Sequence, residues 1–114
     1  MRILDTPVSR AQLFAECQHI MEEIMVKADV DLGRELMIVD ADLHADMERV
    51  LLEDGAHQED LWGINLYLLE DDWDKVIEFD SMINIRPRQG NRSRYVEDPK
   101  IREEIIKVVK KWLT

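Results

Sequence analysis

The sequence predicts an α+β fold: a single domain of order α-β-β-α-β-β-α, with a four-stranded, mainly antiparallel sheet and its helices packed on one face. Three observations predict it. The apolar residues recur at helical spacing in some stretches and alternate strictly in others. Glycine or proline stands where the spacing changes, at Gly33, Gly55, Pro87 and Gly90. A length of 114 residues, 46% of them hydrophobic, supplies one core rather than two.

Ser9 followed three residues later by Gln12 is a capping-box pattern, and Leu13, Phe14, Cys17, Ile20, Met21 and Ile24 then mark one face of a helix over 9–24. Val26, Ala28, Val30 and Leu32 alternate with Lys27, Asp29 and Asp31, the signature of a half-buried strand. Gly33-Arg34 turns the chain into a second strand over 35–42, with Met37, Val39 and Ala41 on one face and Ile38, Asp40 and Asp42 on the other. Leu43, Met47, Val50 and Leu51 form the inward face of a second helix that stops at Gly55.

After a polar loop at 57–60, Trp62, Ile64, Leu66 and Leu68 alternate with Gly63, Asn65 and Tyr67 in a third strand. The acidic segment 70–74 leads into the longest strand, in which Ile77, Phe79, Ile83 and Ile85 oppose Glu78, Asp80, Met82, Asn84 and Arg86 until Pro87 removes a ladder donor. Gly90-Asn91 tolerates positive φ and folds the following loop tightly. Asp98-Pro99 starts a last helix on the apolar stripe Ile101, Ile105, Val108, Val109 and Trp112, with Lys110 and Lys111 near its negative end.

The formal net charge is -10, and it is divided unevenly. Residues 1–80 carry 6 Lys or Arg against 21 Asp or Glu, whereas residues 81–114 carry 9 against 4. An acidic body repels nucleic acid and anionic membranes. It leaves a small anionic ligand, an acidic protein segment or a second copy of the chain as the partners that a local basic patch would take. No apolar run reaches the length of a spanning helix and the first residues lack a signal peptide's apolar stretch, so the expected location is cytoplasmic. Cys17 is the sole cysteine, and on an apolar helical face it reads as a core thiol.

Two polar groups carry the candidate chemistry. In the first, His44 and Glu48 share a helical face at i,i+4, beside Asp46, with Asp40 and Asp42 just upstream; His44, Asp46 and Glu48 are the candidate ligands of a divalent metal, although no cofactor motif requires one. In the second, Asn65, Tyr67, Asn84 and Arg86 point away from the apolar face of the last two strands, and Arg88, Asn91, Arg92 and Arg94 follow in the loop. Together these eight form a candidate ligand site, because guanidinium forks suit phosphate or carboxylate while Asn and Tyr orient it. Trp62 and Tyr67 would offer rings for stacking. Ser81 has no histidine near it in sequence, and the chain contains no phosphate-loop, nucleophile-elbow or paired-cysteine motif.

The runs L-H-A-D-M-E (43–48), D-L-W-G-I-N-L-Y (60–67), S-M-I-N-I-R-P-R-Q-G-N-R-S-R (81–94) and V-E-D-P-K-I-R (96–102) resemble a family of short, uncharacterised bacterial proteins grouped as a domain of unknown function. The resemblance spans about 20–112 and implies no activity. It implies that the family's signature falls on His44, Asp46, Glu48, Trp62, Asn65, Asn84, Arg86, Arg88, Asn91 and Arg92. Val39-Asp40-Ala41-Asp42 departs from it, standing where similar proteins have a glycine-containing stretch. The functional expectation is a binding or interaction module whose 86–94 loop holds an anionic ligand or an acidic partner segment; the alternative is a metal-dependent hydrolase acting on a phosphorylated substrate.

Overall fold

Strict alternation along the first long strand would leave Asp29 and Asp31 in water if one face of the sheet were bare, yet they are only 0% and 1% exposed. The computed structural model, which describes residues 1–17 and 24–114, gives the reason: helices cover both faces. Among these residues the order is β1 (Arg2–Ile3), α1 (Arg10–Glu16), β2 (Val26–Asp31), β3 (Leu36–Val39), α2 (His44–Glu53), β4 (Leu61–Leu66), α3 (Trp73–Val76), β5 (Ile77–Glu78) and α4 (Pro99–Trp112), with short 3-10 turns between. The sheet is five-stranded and antiparallel throughout, in the order β1-β3-β2-β4-β5. The α+β class therefore stands, while the four-stranded sheet and the one-sided packing are corrected.

One face of the sheet presents Val26, Ala28, Val30, Met37, Val39, Trp62, Ile64 and Leu66 to Leu13 of α1 and to Ile105, Val108, Val109 and Trp112 of α4. The predicted capping of α4 is present: the Asp98 carboxylate accepts from the Lys100 amide at 2.9 Å, with Pro99 in the first turn. Each of its fully buried aliphatic side chains contributes about 1.5–3 kcal/mol of apolar transfer. On the opposite face Ile38 and Leu61 meet Met47 and Leu51 of α2. A strand covered on both sides has no solvent face, which is why Met37, Ile38 and Val39 are all buried. Leu43, expected inside, precedes α2 and is 57% exposed.

Ser9 caps α1 as expected, its hydroxyl accepting from the Gln12 amide at 3.0 Å. The helix runs to Glu16; its predicted extension through Ile20 and Met21 lies outside the described residues, and Ile24 is exposed. Cys17 is buried as predicted, and burial pushes its thiol up to about 11. Gly55 and Gly90 take the positive φ expected of them, at 104° and 82°. Strand β3 stops at Val39, where Asp40 turns through φ 72°.

The largest departure is the predicted fourth strand. Asp72 caps the single turn α3 by accepting from the Asp74 amide at 3.0 Å, β5 lasts two residues, and the chain then enters a 3-10 turn at Met82–Asn84. The Ser81 hydroxyl accepts from the Ile83 amide at 3.3 Å, offering the backbone a local alternative to the ladder. The turn reverses the predicted faces, so that Asn84 is fully buried and Ile85 is 38% exposed.

This turn packs directly on Gly63 of β4. A Cβ there would lie 2.5 Å from the Ser81 Cβ and 2.6 Å from its Oγ, closer than carbon atoms tolerate. Gly63→Ala is therefore expected to lower the unfolding free energy by about 1–3 kcal/mol, as over-packed cores do, measured by urea denaturation. An unchanged midpoint would mean that the 81–84 turn yields without penalty.

Candidate functional site

Strand β4 ought to expose its outer edge beyond the short β5, and the residues singled out in the 81–94 run are what close it. The Asn84 carboxamide accepts from the Gly63 amide at 2.8 Å and donates to the Gly63 carbonyl at 2.9 Å, as a neighbouring strand's peptide unit would. Its Nδ2 also reaches the Arg94 carbonyl at 3.0 Å. The Arg86 guanidinium donates to the Leu61 and Gln58 carbonyls and lies 4.2 Å above the Trp62 ring. Trp62, 2% exposed, thus stacks on Arg86 and is closed to a ligand ring.

Asn91 holds the other end of the loop. Its Nδ2 donates to the carbonyls of Asn84, Ser93 and Tyr95 at 2.8–3.0 Å, and its Oδ1 accepts from the Glu97 amide at 2.9 Å. The Glu97 carboxylate is bound in turn by the Arg92 and Ser93 amides and the Ser93 hydroxyl. These donors, the hydroxyl first, hold Glu97 below the usual carboxylate range. The eight predicted ligand residues therefore divide. Asn84, Asn91 and Arg86 brace the fold, Arg88 and Arg92 extend into solvent, and Asn65, Tyr67 and Arg94 gather beside β5.

Of these, Asn65 and Arg94 border a cleft of about 430 Å³ between the N-terminus of α2, the end of the sheet and the 80–83 segment. Here the two polar groups read from the sequence partly meet, since His44 lines the same cleft as Asn65 and Arg94. His44 Nε2 lies 2.9 Å from the Ile64 carbonyl, so the ring carries its proton there and leaves Nδ1 as an acceptor. Burial, partly offset by that carbonyl and reinforced by nearby Lys27, lowers the His44 pKa and favours the neutral ring. Asn65 Nδ2 donates to Glu78 Oε1 at 2.7 Å and to the Asp80 carbonyl at 3.2 Å, while the Tyr67 hydroxyl is 3.5 Å from both Glu78 oxygens. Arg94 forms a two-pronged pair with Asp80 at 2.8 and 3.1 Å.

The predicted metal ligands do not converge. Among the described residues no three His, Cys, Asp or Glu side chains are placed to hold an ion, and the His44 Nε2 is engaged by a backbone carbonyl instead of Asp46 or Glu48. Three cleft residues were missed by sequence reasoning: Lys27, Glu78 and Asp80. The available signal was their polar parity within strands, opposite the apolar face.

Beneath the α2 side of the sheet sits a further polar residue. Asp29, on the central strand between Ile38 and Gly63, is fully buried, and neither carboxyl oxygen has a hydrogen-bond partner among the described residues. Burial first, and then the Glu48 carboxylate, push its pKa up to about 9, against a smaller opposing pull from Arg86.

The fold and this site define a small α+β domain with a side-chain-sealed sheet edge and one polar cleft beside the seal. Over residues 2–112 the chain matches the family described as protein of unknown function (DUF5674), and it belongs to that family. No curated protein and no solved structure matches it. Among the described residues no helix is long and apolar enough to cross a membrane.

Proposed function

We propose that the protein is a small binding module whose ligand occupies the cleft at the N-terminus of α2. The observation that supports this is the meeting of His44, Asn65 and Arg94 in one concavity, with Leu43 and Met82 as apolar rims. Concave sites of this kind, part apolar with a few oriented polar groups, are where small ligands bind. Leu43 and Met82, 57% and 65% exposed, would gain burial from an occupant. The 86–94 loop then serves chiefly as the brace that fixes the Asp80–Arg94 wall, because Asn84 and Asn91 hold it from within.

A second reading keeps the loop as the recognition element. Arg88 and Arg92 are exposed on a backbone already fixed by Asn91, and such preorganisation favours docking of an acidic partner segment, a second copy of the chain included. One experiment separates the two. Amide chemical shifts would be followed while a panel of fragments, phosphate and an acidic peptide is titrated into the protein. The cleft reading expects the largest changes at 43–45, 65 and 80–83, with Met82→Asp weakening that binding by about tenfold or more. Changes confined to 88–93, untouched by Met82→Asp, would transfer the function to the loop.

A further inference from the structure

The ordering of charge across the end of the sheet carries the inference. In the antiparallel register Lys27 of β2 stands opposite Asn65 of β4, and Asn65 stands opposite Glu78 of β5. Cross-strand partners share a face, and all three line the cleft. With neighbouring strands about 4.8 Å apart, the row sets an ammonium at one end, an amide in the middle and a carboxylate at the other, over roughly 10 Å of backbone. The two charged ends do not pair with each other among the described residues. Lys27 Nζ donates to the Asp42 carbonyl at 2.7 Å, and Glu78 accepts from Asn65 Nδ2.

The remaining charged residues of the cleft are Asp42, at the Lys27 end of the row with its carbonyl accepting from Lys27, and the Asp80–Arg94 pair. Arg94 is consumed by Asp80 in a two-pronged pair, so it is not the cation that a ligand's anion would meet. That leaves Lys27 for a carboxylate. Glu78, oriented from behind by Asn65 and Tyr67 and contacted by no cationic side chain among the described residues, is left for an ammonium. The His44 ring, neutral and bonded to the Ile64 carbonyl, stands nearby as an acceptor without repelling an ammonium. Met25, Leu43, Met82 and Ile83 supply apolar surface beside the row.

Resting on the cleft reading above, we infer that the ligand is a zwitterion of the α-amino-acid class with an apolar side chain. Its carboxylate meets Lys27, its ammonium meets Glu78, and its side chain lies against Leu43 and Met82. A plain anion would leave Glu78 as a repulsive group, and a plain amine would leave Lys27 as one, so each half of the row discriminates against half a ligand.

The test is calorimetric titration of the full chain with L-leucine, leucinamide, which lacks the carboxylate, and N-acetylleucine, which lacks the ammonium. L-leucine is expected to bind at least about tenfold tighter than either analogue, a difference of about 1.4 kcal/mol. Lys27→Met should erase the discrimination against leucinamide, and Glu78→Gln that against N-acetylleucine. Lys27→Arg and Glu78→Asp should restore part of each, which a folding defect would not. Equal affinity for L-leucine and either analogue overturns the inference. So does silence towards L-leucine while other fragments still perturb the cleft amides, a result that spares the cleft reading. Silence of the cleft towards the whole panel overturns both.

Discussion

Replacing Asn84 with leucine is expected to remove about 3–5 kcal/mol from the unfolding free energy, a large part of what a domain of this size possesses. The argument starts from Gly63, whose amide and carbonyl are both buried against the Asn84 carboxamide at 2.8 and 2.9 Å. Leucine has a similar volume and neither donor nor acceptor. Each stranded backbone group then carries a desolvation penalty of about 1–3 kcal/mol, and the Arg94 carbonyl loses its bond from Asn84 as well. An unsealed β4 edge also becomes a template for another chain, so the variant should aggregate near its melting temperature where the parent does not. Urea denaturation and light scattering on heating measure the two effects. Asn84→Asp, which keeps the acceptor for the Gly63 amide and loses both donors, should fall between parent and leucine variant. A loss under about 1 kcal/mol for leucine would mean that solvent reaches Gly63.

Stability should also fall as the pH rises, and Asp29 is the cause. Its folded pKa of about 9 lies far above the ordinary 3.8, so between those values the native protein holds a proton that the unfolded chain has released. Proton binding is then greater in the native state, and each pH unit in that window lowers stability by about 1.4 kcal/mol; below the lower value both states are protonated and the slope vanishes. The charged neighbours act in opposite senses, Glu48 of α2 strengthening the effect and Arg86 reducing it. Between pH 5 and 8 the loss attributable to this one carboxyl amounts to about 4 kcal/mol. Asn is nearly the shape of a protonated Asp, so the stability of Asp29→Asn relative to the parent should be about 4 kcal/mol greater at pH 8 than at pH 5. Denaturation midpoints of the two proteins across that range give the difference directly. Parallel curves would mean that Asp29 is ionised in the folded state.

His44 acts in the opposite sense over a different window. Its lowered pKa means that the unfolded chain takes up a proton near the ordinary value of 6.5 before the native ring does, so its contribution is present above that value and is lost as the pH falls below it. The Asp29 comparison is insensitive to this term because both proteins carry His44.

Much of the local structure was written in local chemistry. The Ser9 and Asp98 caps, the stop at Gly55, the turn at Gly90, the β2–β3 hairpin and the stripe of α4 each depend on a few neighbouring residues, and each stands where the sequence put it. The run 77–86 alternates as a strand does, yet the chain leaves the ladder after Glu78 and turns at Met82–Asn84. What separates the two is whether Asn84 finds Gly63, 21 positions away, and local pattern does not hold that contact. Strand β1 escaped notice because two residues carry no period.

The site follows the same division. His44, Asn65 and Arg94 were legible as polar residues at odds with their surroundings, and they do border one cleft. Asn84, Arg86 and Asn91 were legible too, but as ligand groups, because a side chain that completes a sheet edge has the same donors and acceptors as one that binds a ligand. Lys27 and Glu78 looked like ordinary solvent-side residues until the register set them on either side of Asn65. By itself, then, the sequence determined the class of fold, the helix ends and turns, and the stretch from 81 to 94 as the unusual part of the chain. Only the tertiary structure decided that α2 covers the second face and buries Asp29, and that Asn84, Arg86 and Asn91 bond to backbone groups of the fold. Both depend on which distant surfaces meet, and the free energy of burying a polar group is set by that meeting rather than by the group's neighbours in sequence.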